Sequence, residues 1–242
     1  MKICISVDME GISGINTKEH VLSDARLYGE ARRMLTEDIN AAVRGAFAGG
    51  ADEVIVMYMH GGSNNVLTEL LDKRALLLVG APHSPRFPFL NGSDGLFLVG
   101  YHAQAGTERG SLEHTMTSMA WHKYLVNGVP FGEVGVDADI AGWEGVPVVM
   151  VSGDDKLCDG FLLHLFFSSK THKNAGPVAR SLRLHDAISH LLYRREAPLS
   201  NHFFQQFYGL PRKRAHRGFR NAHHDVRAGV YRQQQLFRRA LP

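Results

Sequence analysis

The chain opens with a pattern that recurs along its first two thirds: a short apolar, β-branched run that stops at a polar side chain able to ligate or titrate. Lys2 to Val7 reads as a strand, and Asp8-Met9-Glu10-Gly11 follows as a loop carrying two acids. The period then changes. Leu27, Ala31, Leu35, Ile39, Val43 and Phe47 recur every four residues between about Asp24 and Ala48, and Gly49-Gly50 follow, which predicts an amphipathic helix ended by glycine. Glu53 to Met59 is strand-like again and ends at His60, before the loop cluster Gly61-Gly62-Ser63-Asn64-Asn65. Leu96 to Tyr101 is a third strand, with His102 immediately after it. Phe131 to Trp143 predicts a turn and a helix carrying Glu133, and Val146 to Ser152 a fourth strand ending in Gly153-Asp154-Asp155. Trp121, Tyr124 and Trp143 lie among apolar neighbours and are expected in the core.

Strands alternating with helices predict an α/β fold with a mostly parallel sheet flanked by helices. In such sheets ligands bind beyond the carboxyl ends of the strands, where loops converge without disturbing the core. Asp8, Glu10, His60 and His102 all fall at such ends, which avoids the cost of burying them in mid-strand. Asp8 and Glu10 are two apart on an extended segment, so their carboxylates point the same way and suit one cation. Carboxylates together with imidazoles suit zinc or another divalent first-row metal, and a bridging carboxylate can hold two ions. An acid pair alone usually caps a helix or is solvated, and a lone histidine is usually structural. The joint placement at successive strand ends is what points to a metal. His20, His83 and His122 read as surface or hydrogen-bonded structural residues. Asp137 and Asp139 read as the start or a face of a helix, and Asp154-Asp155 as a turn.

The six segments Val7-Asp8-Met9-Glu10-Gly11-Ile12-Ser13-Gly14, His60 with Asn64-Asn65, Gly100-Tyr101-His102-Ala103, His114-Thr115-Met116, Gly132-Glu133-Val134-Gly135 and Gly153-Asp154-Asp155 resemble, in this order, the zinc-dependent D-aminopeptidases. The resemblance covers residues 1 to about 157. It implies two zinc ions per subunit, held by Asp8 shared between them, Glu10, His60, His102 and Glu133. It implies His114 as the catalytic residue, as nucleophile or as general base. The implied reaction is hydrolytic release of N-terminal D-amino acids such as D-alanine from short peptides, by a homo-oligomer. One departure stands out. The family usually has an Asp two residues before the His60 position, where this chain has Tyr58; losing a carboxylate that orients a metal-bound imidazole costs about 10- to 100-fold in affinity or activity. The competing class is a metal-binding remnant without catalysis, or a basic interaction module on the same fold.

Charge divides the chain. Residues 1–157 carry 12 Lys+Arg against 20 Asp+Glu, a balance of −8, whereas residues 158–242 carry 15 against 4, a balance of +11; together these give the net +3. Eight of the 14 histidines also lie in the second segment. The division sets a metal-binding α/β domain, 1–157, apart from a basic, His/Arg-rich segment, 158–242. The stretch Ile3 to Val7 is too short for a secretory signal, the run Phe161 to Phe167 falls far short of the roughly 18 residues of a membrane helix, and Cys4 and Cys158 form no CxxC pair. A soluble cytoplasmic protein is expected. Ser181 to Arg194 has helical spacing, and no strand is expected beyond it. The basic segment has three explanations: nucleic-acid binding, for which no motif is present, a divergent domain, or translation out of frame. Arg/His enrichment, loss of acids and loss of periodicity beside an intact motif series favour the third. Translating the encoding DNA in the other two frames is expected to recover an acidic, periodic tail; if neither frame does, the frameshift explanation fails.

Overall fold

The computed structural model describes residues 1–61, 64–80 and 86–160, with the backbone of residues 230–232. His83, the run Phe161 to Phe167, the expected helix Ser181 to Arg194 and most of the basic segment lie outside the described residues.

The expected strands and helices form. They are β1 (Lys2–Val7), α2 (Tyr28–Ala48), β2 (Glu53–Tyr58), β4 (Gly95–Tyr101), α3 (Glu133–Trp143) and β7 (Val148–Gly153). Short elements accompany them: α1 (Lys18–Val21), β3 (Leu76–Leu78) and a two-stranded hairpin of β5 (Leu125–Val126) and β6 (Val129–Pro130). The main sheet runs β7-β4-β1-β2-β3, with every neighbouring pair parallel. At its edge β8 (Val230–Arg232) pairs antiparallel with β3. This corrects the expectation of no strand there: three edge residues held by backbone hydrogen bonds are too few to show a period of two.

Alternation along β1 explains the layers. Ile3, Ile5 and Val7 face one way and pack with the buried face of α2, which includes Ala31, Leu35, Ile39, Val43 and Ala46. Cys4 faces the other way and joins Leu96, Leu98, Tyr101, Val134 and Ala141, placing α3 on the opposite face. Two polar residues on the buried face of α2 fasten the chain after β2. Asn40 donates to the Leu70 carbonyl and accepts from the Asp72 amide, while the Thr36 hydroxyl accepts from the Leu67 amide.

Trp143 and Trp121 depart from expectation. Trp143 is 76% exposed and Trp121 46%, so neither belongs to the core. Trp143 is the last residue of α3, where the helix has turned toward solvent, and Trp121 stacks on Tyr124 in the approach to the hairpin. Apolar sequence neighbours do not set the direction of a side chain in irregular backbone.

The strand order fixes where a ligand belongs. The chain moves outward from β1 through β2 to β3, then returns to place β4 on the other side of β1. The crevice beyond β1 and β4 is therefore the switch point of the sheet, the usual ligand position in open α/β folds. Two glycines let the loops meet there. Gly100 has φ +73°, and a Cβ on it would lie 2.4 Å from the Asp8 carbonyl oxygen. A Cβ on Gly11 would lie 1.8 Å from the Tyr101 carbonyl oxygen, next to the hydrogen bond from the Gly11 amide to the Gly100 carbonyl. Gly11→Ala is expected to destabilise the fold by about 1–3 kcal/mol or more, read as a lower denaturant midpoint. An unchanged midpoint would show that the two loops do not approach this closely.

Candidate metal centre

Three adjacent strands of the sheet, β4, β1 and β2, each end beside a side chain able to ligate a metal. Asp8 follows β1 directly, with Glu10 in the turn beyond it; His60 lies just past β2 and His102 just past β4. Glu133 is the first residue of α3, and His114 stands in the irregular segment between β4 and the hairpin. The fold brings all six together. Asp8, Glu10, His102 and Glu133 are buried, and His60 and His114 are nearly so.

Within this cluster two groups separate. Ligand atoms of Asp8, Glu10 and His60 lie within 4.8 Å of one another, and so do those of His102, His114 and Glu133. Asp8 links the groups. Its Oδ1 stands 3.5 Å from His60 Nδ1, and its Oδ2 stands 3.3 Å from His102 Nε2. Glu10 Oε2 is 3.0 Å from the same His60 nitrogen. On the other side, Glu133 Oε1 is 3.5 Å from His102 Nε2 and 3.6 Å from His114 Nε2. The rings of His102 and His114 stack, with centroids 3.9 Å apart.

All three imidazoles are anchored in the same way. His60 Nε2 donates to the Val21 carbonyl at 2.9 Å, His102 Nδ1 to the Ala103 carbonyl at 3.0 Å, and His114 Nδ1 to the Leu112 carbonyl at 3.0 Å. A carbonyl only accepts, so the bonded nitrogen carries the proton and the other nitrogen of the neutral ring turns a lone pair toward the carboxylates. This is the outer bonding that metal-ligating histidines show. His102 Nε2 adds a direct sign: it is buried and makes no hydrogen bond, although two carboxylate oxygens face it. Lone pairs aimed at anions require a cation between them, and the donor set of three carboxylates with imidazoles fits zinc.

In the absence of such an ion, protons take that place. Burial works against the charged form of His60, but Asp8 and Glu10 outweigh it and push its pKa up to about 10. His102 is also raised well above the ordinary imidazole range: burial opposes its charge, and Asp8 and Glu133 overcome that. Burial works against the charge of Asp8, but the neighbouring His102 and His60 imidazoles overcome it and hold Asp8 well below the ordinary carboxylate range. Glu10 is raised, first by burial and then by the charge of Asp8. Protons and a divalent ion compete for the same lone pairs, so metal binding here displaces protons.

The backbone around the second group is held in unusual conformations. Leu112 and Met116 have φ values of 55° and 61°, in the left-handed region that costs a residue with a Cβ roughly 1–2 kcal/mol. Both positions touch the site. Leu112 supplies the carbonyl that anchors His114, and the Met116 amide donates to Glu133 Oε1 at 2.7 Å. Asp154, expected in a turn, is buried; it accepts from the Leu157 amide at the start of a helical turn over 155–160 and from the Ser111 amide beside His114. Nothing in the sequence marked Leu112, and Met116 stood out only as part of the His114-Thr115-Met116 segment. Tyr58 does not enter the ligand groups: its hydroxyl accepts from the Asn64 amide, while buried Asn65 donates to the His60 carbonyl. The Val21 carbonyl is the outer partner of His60, and position 58, where the family usually has an Asp, contributes no carboxylate. His20 is buried and bonds Thr17, and His122 is exposed, as structural and surface roles require.

Comparison with known proteins agrees with this geometry. The model of the M55 peptidase family, described as D-aminopeptidase, matches residues 1–172. A D-aminopeptidase of Bacillus subtilis (strain 168) is 40% identical over 160 residues, which is 64% of this chain and 57% of that protein. The chain thus spans little more than half the length of this curated relative. Among solved structures, the Zn-dependent D-aminopeptidase DppA from Bacillus subtilis, described as a self-compartmentalizing protease, superposes with a TM-score of 0.61 at 31% identity, over 78% of this chain and 73% of that one. The match over most of the chain makes this protein a member of the M55 D-aminopeptidase family.

Proposed function

We propose that this protein is a two-zinc D-aminopeptidase that releases N-terminal D-amino acids, such as D-alanine, from short peptides. The observation that carries the proposal is the division of Asp8: one carboxylate oxygen faces the Glu10–His60 group and the other faces the His102–His114–Glu133 group. Such a division suits a carboxylate that would be shared by two ions. Glu10 and His60 complete one site; His102 and Glu133 complete the other. When bound, a metal pair supplies Lewis acidity toward a peptide carbonyl and a more acidic water.

The chain's own groups account for the rest. The Leu112 carbonyl keeps the proton of His114 on Nδ1, so Nε2 is the atom that either takes a proton or attacks. A positive charge arising on that ring is stabilised by the Leu112 carbonyl at one nitrogen and by Glu133, 3.6 Å away, at the other. The strand ends and their carbonyl anchors hold the ligands before substrate arrives, which lowers the reorganisation needed during reaction. The self-compartmentalizing relative supports a homo-oligomer for this chain too. No helix among the described residues is long and apolar enough to cross a membrane, and a cytoplasmic location is the reading taken.

Purified protein is expected to contain close to two zinc ions per chain by elemental analysis, and to release D-alanine from D-Ala-D-Ala while leaving the L,L-dipeptide intact. Chelation should abolish turnover and added zinc should restore it. Zinc without turnover would instead identify a metal-binding remnant. Asp8→Asn is expected to weaken both zinc ions, whereas His60→Ala weakens one; equal losses from the two changes would remove the bridging role. His114→Ala is expected to keep both zinc ions and to lower kcat by about 10²- to 10⁴-fold. Loss of one zinc from that variant would make His114 a ligand instead.

A further inference from the structure

Glu133 is the one expected ligand that comes from a helix, and its carboxylate is held by more than the cluster it faces. Its Oε1 accepts from the Met116 amide and faces His102 and His114, while its Oε2 lies 4.0 Å from Nη2 of Arg86. Arg86 precedes β4 by several residues and belongs to no ligand group. Its guanidinium forms a two-pronged pair with Asp137: Nε donates to Oδ1 and Nη2 to Oδ2, the latter at 3.1 Å. Asp137 is one helical turn beyond Glu133 on α3, so both acids share a face. Asp137 is fully buried and also accepts from the Tyr101 hydroxyl at 2.6 Å, and that oxygen lies 2.7 Å from the Ser6 hydroxyl. A continuous polar chain therefore runs from β1 through β4 to α3 and ends on Arg86 beside Glu133.

We propose that Arg86, clamped by Asp137, is a positioning residue that sets the rotation of the Glu133 carboxylate and so tunes the affinity of the metal held by His102 and Glu133. This rests on the two-metal reading above. A planar guanidinium fixed at both Nε and Nη2 cannot swing onto Glu133 as a competing ion-pair partner, yet its charge holds Oε2 on the far side and presents Oε1 to the histidines. Asp137 thereby does two things: it orients Arg86 and it restrains it. The Glu10–His60 group is not part of this chain of bonds and is unaffected by the clamp.

The test compares zinc affinity in four proteins by chelator competition, with elemental analysis and thermal unfolding alongside: the parent, Arg86→Met, Arg86→Lys and the double variant Arg86→Met/Asp137→Asn. The double variant removes both charges of the Arg86–Asp137 pair, whereas Arg86→Met alone leaves the buried Asp137 charge without its guanidinium. One of the double variant's two zinc ions is expected to lose affinity by about 10- to 100-fold, the other to stay within about twofold, and its Tm to stay near that of the parent. Arg86→Lys is expected to fall between, since a point charge replaces a fork. A parent with two zinc ions and a double variant with both affinities unchanged would overturn the clamp. Equal weakening of both zinc ions would also overturn it, because that is what a purely structural role produces. A parent that binds fewer than two zinc ions would remove the two-metal reading itself, and the clamp with it.

Discussion

Three carboxylates share one buried crevice, and much of the surrounding structure manages their mutual repulsion. Asp8, Glu10 and Glu133 are each almost inaccessible to water, and within a few ångströms of them lie His60, His102 and His114. Anions gathered in a medium of low dielectric repel strongly and lose their hydration, so such a set persists only around positive charge. The carboxylates favour the charged form of His60 and His102 against their burial, and a divalent cation meets the same demand for positive charge more fully. The imidazoles do not rotate to satisfy themselves elsewhere, because each already holds a backbone carbonyl with its other nitrogen.

The fold makes this arrangement tolerable by confining it to one place. Alternation along β1 keeps Ile3, Ile5 and Val7 against α2 while Asp8 emerges only where pairing ends. Gly11 and Gly100 allow two loops to meet at backbone contact beside it. Across the crevice, the left-handed conformations at Leu112 and Met116 are strain held at a working site, and the Asp154 bond to Ser111 and the Glu133 bond to Met116 are what oppose its release.

Much of this was legible in the sequence, and the limits follow from what a local pattern records. Asp8, Glu10, His60 and His102 stand at the ends of strands with clear period, so an argument about sheets alone places them together. Glu133 and His114 rested on resemblance, because one opens a helix and the other occupies backbone with no period at all. The pairing of Arg86 with Asp137 left no trace: it joins positions 51 apart through packing that no spacing rule encodes. β3, β5 and β6 are too short to produce alternation. The apolar sequence neighbours of Trp121 and Trp143 point to the core, yet both residues are exposed. The Val21 carbonyl was invisible for a different reason: every residue has one, and only the fold decides which of them meets an imidazole.

The return of the chain from β3 to β4 has a consequence for folding. Residues 8, 60, 102 and 133 are brought together only when the sheet has closed on both sides of β1, so no fragment that stops short of α3 contains the whole set. Ions held by the two groups that Asp8 links would recognise the completed topology and have little affinity for an open chain. Such an ion adds about 4 kcal/mol to folding when free at a thousandfold its dissociation constant. With the proposed metals, supply would act as a selector among conformations, drawing newly made chains toward the one arrangement in which four distant segments agree.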